Sequence, residues 1–228
     1  MSHLVKPLFG LGYYFNGVDN HVLTSKELPT AYHSFSATAW IYRLSEKTSD
    51  DVIVSNSKGG GYYKHLHIVV RGNKPYFGFY GDDLRGATYI SKEKWWFLGF
   101  TYDYENNIRR IYVNAKVDAE DNPSQSLIDN IIADVGKFAD LYFYGIMGEF
   151  RFYNRVLSET EMNEMYTIRR NILDGCELLL GTVGLVRGGG TQWLDESGHG
   201  NHGTVYGAIR VRCCHCNPVV RYGTATPI

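Results

Sequence analysis

At 228 residues, the chain is long enough for one large domain, alone or with an appendage, to bury an apolar core without disulfide bonds. Its formal net charge of −1, spread without a basic stripe, gives no indication of nucleic-acid binding. No apolar stretch approaches the length of a membrane span, while 18 Tyr and 25 Gly favour short strands joined by turns.

The N-terminal segment, MSHLVKPLFGLGYYFNG, has one Lys and a short, interrupted apolar run. It lacks the apolar core and the small-residue cleavage site of a classical signal peptide. We therefore expect the chain to stay inside the cell, to leave it by another route, or to be a mature form.

Short segments that alternate apolar and polar residues follow one another, separated by turn residues such as Gly72-Asn73 and Asn122-Pro123. The clearest period of two lies in Phe35-Ser-Ala-Thr-Ala-Trp-Ile-Tyr42. This rhythm predicts an all-β sandwich or barrel. The predicted strands cover residues 12–15, 35–42, 51–56, 65–71, 76–80, 95–102, 109–113, 141–145 and 148–153.

One segment, residues 157–166, has the pattern of a short helix instead. Ser158 followed by Glu161 three residues later is a capping box, which marks a helix start. We expect the helix to run toward Arg169 and Arg170, whose charges suit a helix C-terminus. Its apolar face is formed by Leu157, Met162, Met165 and Tyr166.

Three segments carry a family resemblance: YFNGVDNHV (14–22), WWFLGFTY with IYVN (95–114), and GIMGEFRFYNRVLSETE (145–161). They resemble the early turn, the central hairpin and the strand-to-helix signature of laminin-G-like, concanavalin A-like jelly rolls. The resemblance covers residues 12–166 in order. It implies an all-β fold, a two-sheet antiparallel jelly-roll sandwich with one short helix.

A fourth segment, residues 194–207 (LDESGHGNHGTVYG), resembles the opening strand of that family but lies at the opposite end of the chain. We therefore divide the chain into a sandwich at 1–175 and a C-terminal extension at 176–228 that supplies a displaced strand at 191–207. The favoured interpretation is circular permutation, because the termini of a sandwich often lie close together. The alternatives are a truncated second repeat, and strand exchange between copies that builds a filament.

Turns in both halves of this motif contain hard oxygen ligands that suit Ca²⁺. The resemblance implies a structural calcium ion near this corner, although the family frequently has Asp where this chain has Gly148. The alternative is that Asp and Asn stand here because they favour turns. The candidate ligands are Asn16, Asp19, Asp195 and Asn201.

The same resemblance implies glycan binding, with aromatic rings stacking on sugars and polar groups bonding to hydroxyls. His65 and His67 share one strand face at a period of two. The alternative is that these tyrosines are packing residues and that Asp82-Asp83 is an ordinary turn. The candidate residues are Tyr62, Tyr63, His65, His67, Tyr80, Asp82, Asp83 and Arg85.

Catalysis is not expected. Sandwich glucanases alternate carboxylates along one strand, whereas the nearest stretch here, 149–153, has only Glu149. His65 and His67 have no identifiable third partner for a metal, and no Ser–His–Asp or Cys–His arrangement has a supporting local motif.

All four cysteines, Cys176, Cys213, Cys214 and Cys216, lie in the last quarter of the chain. The last three are too compact for a tetrahedral zinc site of their own. A bridge from Cys176 to one of them would contribute roughly 3–4 kcal/mol by closing a loop. The alternative is free thiols in a reducing compartment.

Two functions from different classes follow. The first is a non-catalytic glycan-binding or adhesion module with a carbohydrate or a glycosylated surface as partner. The alternative is a structural subunit of a virion, filament or surface layer that forms homo-oligomers through its sandwich edges and C-terminal strand. Both predict an extracellular, cell-surface or virion location.

Overall fold

The computed structural model describes residues 11–46, 48–58, 60–168, 170–181 and 190–212. Within these ranges the chain forms β-strands and one helix, α1 (Glu159–Thr167). No helix there has the length and apolar character needed to span a bilayer. The strands are β1 (Leu11–Asn16), β2 (His21–Leu28), β3 (Phe35–Arg43), β4 (Asp51–Asn56), β5 (His67–Arg71), β6 (Lys74–Gly78), β7 (Asp83–Arg85), β8 (Trp95–Asp103), β9 (Ile108–Val113), β10 (Lys116–Asp121), β11 (Ile131–Val135), β12 (Lys137–Phe138), β13 (Leu141–Tyr142), β14 (Tyr144–Tyr153), β15 (Cys176–Leu180), β16 (Gln192–Trp193), β17 (Gly203–Tyr206) and β18 (Ile209–Arg212).

Two large antiparallel sheets confirm the predicted sandwich. The back sheet has the strand order β10-β9-β8-β3-β14-β1-β18, and β15 also pairs with β14. The front sheet has the order β16-β17-β2-β11-β4-β5-β6-β7. A small separate hairpin, β12–β13, follows β11.

Aromatic side chains from both sheets fill the space between them. Phe35 of the back sheet stacks on Phe152 at 5.5 Å between ring centroids and meets Phe77 of the front sheet edge-on at 5.9 Å. At the other end, Tyr13 meets the fully buried Trp193 edge-on at 5.0 Å. Large rings that interlock in this way supply much of the buried apolar area that holds two sheets together.

Helix α1 covers the outer face of the back sheet. The predicted capping box is present, with the Ser158 hydroxyl and the Glu161 carboxylate each accepting from the other residue's backbone N–H. Met162 and Met165 are buried, and Tyr166 stacks on Trp40 at 5.8 Å. This packing confirms the predicted apolar face.

The helix runs toward Arg169 and Arg170, as predicted, but stops short of them. The helix ends at Thr167, and Ile168 is its C-cap, where the backbone leaves the helical conformation. The Arg170 guanidinium lies beyond the last turn and donates to the Glu164 carboxylate at 2.6 Å. Residue 169 lies outside the described residues.

The C-terminal segment belongs to both sheets. β17 pairs with β2 at the edge of the front sheet, β18 pairs with β1 at the edge of the back sheet, and β15 pairs with β14. The segment predicted as one strand at 191–207 is two strands, β16 and β17, because the turn between them contains Gly198 and Gly200 at positive φ. The division at residue 175, strand exchange between copies and a structural-subunit role stay predictions.

Candidate functional site

A cleft of about 430 Å³ opens on the outer face of the front sheet. Its floor is formed by β4 and β11, one wall by the β12–β13 hairpin, and the opposite wall by the loop after β6 that carries Tyr80. The residues lining it are Ser55, Asn56, Ser57, Gly60, His65, Tyr80, Asp134, Lys137, Phe138, Ala139 and Asp140.

The hairpin wall is fixed to β4 by hydrogen bonds. The Ser55 hydroxyl donates to the Lys137 carbonyl at 2.7 Å, and the Gly136 N–H donates to the Ile53 carbonyl at 3.0 Å. Because these bonds hold the start of the hairpin against the sheet, Phe138 projects over β5. There its ring lies parallel to the His67 ring at 5.4 Å and lies 4.7 Å from His65.

The opposite wall is aromatic as well. The Tyr80 ring meets Tyr62 edge-on at 5.8 Å and lies 6.0 Å from His65, and both tyrosines are exposed. Gly81, at φ +91°, permits this arrangement, because a Cβ there would lie only 2.2 Å from the Tyr62 ring. The exposed Tyr80 ring on one wall, Phe138 on the other and the buried His65 beneath them give the cleft a partly apolar surface.

The two histidines are buried and incompletely bonded. Nε2 of His67 lies 3.3 Å from the Asp83 carboxylate, and Gly78 leaves room for that contact, since a Cβ there would strike both side chains. Nδ1 of His67 and Nε2 of His65 have no hydrogen-bond partner among the described residues. Burial, helped by the neighbouring His67, lowers the pKa of His65 to about 4.

We expect this histidine to make the fold acid-sensitive. In the unfolded chain this histidine binds a proton with a pKa near 6.5, whereas in the folded chain it does so only near pH 4. The free energy of unfolding therefore falls as the pH falls from about 6.5 to about 4. The loss at pH 4 is about 3 kcal/mol. It is measured by urea unfolding at pH 7, 5.5 and 4.

A His65→Phe variant should lose this pH dependence, because Phe keeps an aromatic ring in place and carries no proton. His33→Phe is the control, since His33 is exposed and should leave the pH dependence as in the wild type. An unchanged pH dependence in His65→Phe would refute the assignment.

The structure brings together five of the eight residues proposed for glycan binding: Tyr62, His65, His67, Tyr80 and Asp83. Asp83 faces the cleft side of the sheet through its contact with His67. Burial opposes ionisation of Asp83, but the bond to His67 and the nearby Arg71 and Arg109 charges outweigh it and lower the pKa. The aspartate is therefore ionised beside the histidine.

Asp82 points elsewhere. Its carboxylate accepts from the buried Arg109 guanidinium at 2.7 Å and from the Ser124 hydroxyl at 2.5 Å. Burial alone would raise the pKa of Asp82. The hydrogen bonds from Ser124 and Arg109 outweigh burial, so the pKa lies below its ordinary value. The side chain is engaged in joining the two sheets and does not line the cleft.

Tyr63 and Arg85 also lie away from the cleft. The Tyr63 hydroxyl is 3.1 Å from the Ser124 hydroxyl, and its ring packs against the core. Arg85 is on the last strand of the front sheet, 5.9 Å from the centre of the Tyr76 ring. Neither residue lines the cleft: the Tyr63 ring turns toward the core, and Arg85, although on the same face of β7 as Asp83, lies two residues further along the strand. Their part in glycan binding stays a prediction.

The four candidate calcium ligands form two separate clusters. Asn16 and Asp19 bond to each other at 2.8 Å in the turn just before His21. Asn201 instead accepts from the Lys26 backbone N–H at 2.7 Å. Five residues of β2, on the order of 15 Å of strand, separate these places, whereas calcium ligands lie about 2.3–2.6 Å from the ion.

Each cluster already bonds to its own backbone. The Asp195 carboxylate accepts from the backbone N–H groups of Leu179, Ser197 and Asn201, at 2.9 Å in each case. Burial opposes ionisation of Asp195, but these bonds outweigh it and lower the pKa. The structure thus does not bring the four residues together into one site. In the described ranges no three His, Cys, Asp or Glu side chains form a metal-sized group; calcium binding stays a prediction.

Cys176 is buried in the layer under α1, and its thiol donates to the Leu178 carbonyl at 3.4 Å. Burial raises the pKa of the thiol to about 12. Cys213, Cys214 and Cys216 lie outside the described residues, so a bridge to one of them stays a prediction.

The sequence offered no local signal for several cleft residues: Ser55, Asn56, Asp134, Lys137, Phe138 and Asp140. Asp134 and Ser55 reach the cleft through strand pairing, because Asp134 of β11 lies beside Ser55 of β4, which lies beside His67 of β5. Lys137, Phe138 and Asp140 reach it on the β12–β13 hairpin. Finding them required the strand order.

Comparison with known proteins identifies the fold family. A family model described as the concanavalin A-like lectin/glucanases superfamily matches residues 16–163. The chain belongs to this superfamily. None of the curated proteins matches the chain.

Solved structures of the superfamily type share the fold at low identity. A proposed carbohydrate-binding protein from Bacteroides ovatus superposes with a TM-score of 0.64 at 16% identity, over 86% of this chain and 60% of its own length. Domain 4 of the extracellular arabinanase AbnA from Geobacillus stearothermophilus, in complex with arabinotriose, gives 0.52 at 16%, over 64% and 72%. A heptameric pentraxin from Limulus polyphemus gives 0.56 at 10%, over 70% and 82%.

Proposed function

We propose that the protein is a non-catalytic glycan-binding module and that the sugar binds in the cleft of the front sheet. The observation that carries the proposal is the pair of exposed rings, Tyr62 and Tyr80, beside a polar floor. A sugar ring has apolar faces that stack on an aromatic ring and hydroxyls that need polar partners.

The polar groups of the cleft offer both donors and acceptors. Lys137 stands on the hairpin wall, Asp140 is exposed at its tip, and Ser57 lies on the floor beside them. The cleft therefore has charges of both signs, which suits the neutral, hydroxyl-rich surface of a glycan better than a strongly charged ligand.

The comparisons favour the same class of ligand. The Bacteroides ovatus structure is described as a proposed carbohydrate-binding protein, and the AbnA domain is in complex with arabinotriose. Both superpose with TM-scores above 0.5. With a glycan as partner, an extracellular or cell-surface location is part of the proposal.

Replacing Tyr80 by Ala should weaken glycan binding at least ~10-fold, because an exposed aromatic platform acts as a binding hot spot. Binding is measured by affinity electrophoresis in gels containing arabinan, xylan, mixed-linkage β-glucan or pullulan. Each gel is run with added Ca²⁺ and with EDTA, which tests calcium dependence in the same experiment.

Tyr104→Ala is the matched control. Tyr104 is 37% exposed and Tyr80 41%, and each contacts other aromatic rings, but Tyr104 lies outside the cleft. Equal loss in both variants would refute the cleft as the binding site. If no gel retards the wild-type chain, the proposed glycan binding is refuted.

A further inference from the structure

A second exposed aromatic platform lies on the outer face of the front sheet, at its other end. Tyr206 of β17 stacks on His21 of β2, with ring centroids 4.6 Å apart and planes 12° from parallel. The two residues are register partners, so strand pairing fixes the stack. Tyr206 is nevertheless 46% exposed, and part of its ring therefore remains open to solvent.

Hydrogen bonding connects this platform to the cleft. Nδ1 of His21 lies 2.5 Å from the carboxylate of Asp134, a buried residue that lines the cleft floor. Asp134 pairs across the strands with Leu23 on one side and with Ser55 on the other. The surface from Tyr206 to the cleft is thus one continuous row of side chains on a single face of the sheet.

The length of this row indicates the size of the ligand. Tyr206 is on β17 and Tyr80 follows β6, and the strand order places five steps between those strands. With neighbouring strands about 4.8 Å apart, the two strands that lead to these platforms are roughly 24 Å from each other. One sugar unit cannot span that distance, whereas a linear chain of several units can.

We infer that the front sheet binds a linear oligosaccharide or polysaccharide that runs across the strands, with Tyr80 and Tyr206 as separate stacking platforms. This inference rests on the proposed glycan-binding function. His21 acts as a positioning residue, because its stack and its bond to Asp134 fix the Tyr206 ring relative to the cleft.

The inference predicts a dependence on ligand length. In arabinan, xylan and β-glucan gels, the disaccharide and the hexasaccharide of the same polymer serve as soluble competitors. The hexasaccharide should compete about tenfold better than the disaccharide for the wild type. Tyr206→Ala should remove that advantage, whereas Tyr80→Ala should weaken competition by both oligosaccharides.

Two further variants separate binding from folding. Tyr206→Phe keeps the ring and should retain the length dependence. If only Tyr206→Ala loses the hexasaccharide advantage, ring stacking is its cause. Tyr89→Ala is the matched control, because Tyr89 is 48% exposed but lies between β7 and β8, away from the row. Thermal melting of each variant reports whether β17 still pairs.

The possible failures are distinguishable. If the wild type binds but Tyr206→Ala keeps the full hexasaccharide advantage, the second platform is refuted and the cleft proposal stands. If the disaccharide and the hexasaccharide compete equally well for binding to the wild type, the extended ligand is refuted. If no gel retards the wild type, the proposed function and the second platform fail together.

Discussion

Truncation of the chain after residue 190 is expected to leave an insoluble product that does not fold as a monomer. The cut removes Trp193, which is fully buried, packs on Tyr13 and donates its indole N–H to the Gly181 carbonyl at 2.8 Å. Loss of one buried Trp side chain alone costs about 3–5 kcal/mol. Because domains are typically stable by only about 5–15 kcal/mol, this loss is a large part of the total. Soluble yield and far-ultraviolet circular dichroism measure the outcome.

The truncation also uncovers two strand edges. β2 loses β17 and β1 loses β18, which leaves unpaired backbone N–H and C=O groups along both sheets. Such edges pair readily with other chains, so aggregation is the expected fate of the shortened protein. A soluble truncated chain with an unchanged melting temperature would show that these strands are dispensable.

A circular permutant is the matched control. Leu11 and Arg212 are register partners in the antiparallel pair β1–β18, so a two-residue turn is enough to join them. A chain that begins at residue 171, continues through 212, joins to 11 and ends at 170 keeps every described strand pairing. We expect it to be soluble and to give the far-ultraviolet circular dichroism spectrum of the wild type; an insoluble permutant would contradict the assigned pairing.

The strands that the sequence predicted best are those with strong local patterns. Every residue of β3 is buried, because one face meets the core between the sheets and the other lies under α1. β8 lies beside β3 and is buried almost throughout for the same reason. Strands of this kind are rich in aromatic and β-branched residues, which can be recognised without any knowledge of the neighbouring strands.

One strand that the sequence did not predict, β10, lacks such a pattern. β10, with the sequence KVDAED, has no buried residue, and a bulge between Val117 and Ala119 interrupts its pairing. Its place is set by the neighbouring strand, where Arg110 pairs with Glu120. The sequence of such an edge strand cannot be distinguished from that of a polar loop, because its stabilising contacts are all with the neighbouring strand.

The candidate site was predictable where it followed local geometry. His67 and Asp83 meet through strand pairing, and Gly78 between them provides the space. Phe138 approaches from a hairpin more than seventy residues later in the sequence, and no local pattern indicated that it would lie over the histidines. Sites built from distant loops are the part of a fold that local patterns describe least.

The opposite directions of Asp82 and Asp83 illustrate the same rule. Successive residues at the start of a strand point to opposite faces of the sheet. Asp83 therefore reaches His67 on the outer face, while Asp82 reaches Arg109 on the side of the back sheet. Treating the two aspartates as one polar group overlooked this alternation, which the sequence alone could have supplied.

Replacing Arg109 by Met should destabilise the fold by about 3–5 kcal/mol. The guanidinium is fully buried and donates to the carboxylates of Asp82 and Asp121 at 2.7 Å each, joining the front sheet to β10. Removing it leaves two partly buried carboxylates without a counter-charge, which costs more than the intact pairs contribute. Urea unfolding at pH 7 measures the change in the free energy of unfolding.

Arg110→Met is the matched control, because Arg110 is the next residue, points to the opposite face and pairs with Glu120 at the surface. Surface ion pairs of this kind contribute about 0–1 kcal/mol. Arg109 also fixes Asp82, which is two residues beyond Tyr80, so the Arg109→Met variant should lose glycan binding even under conditions in which it stays folded. Comparable stability in the two variants would contradict the predicted cost of removing the buried guanidinium, and retained glycan binding in folded Arg109→Met would show that it does not hold the Tyr80 wall of the cleft.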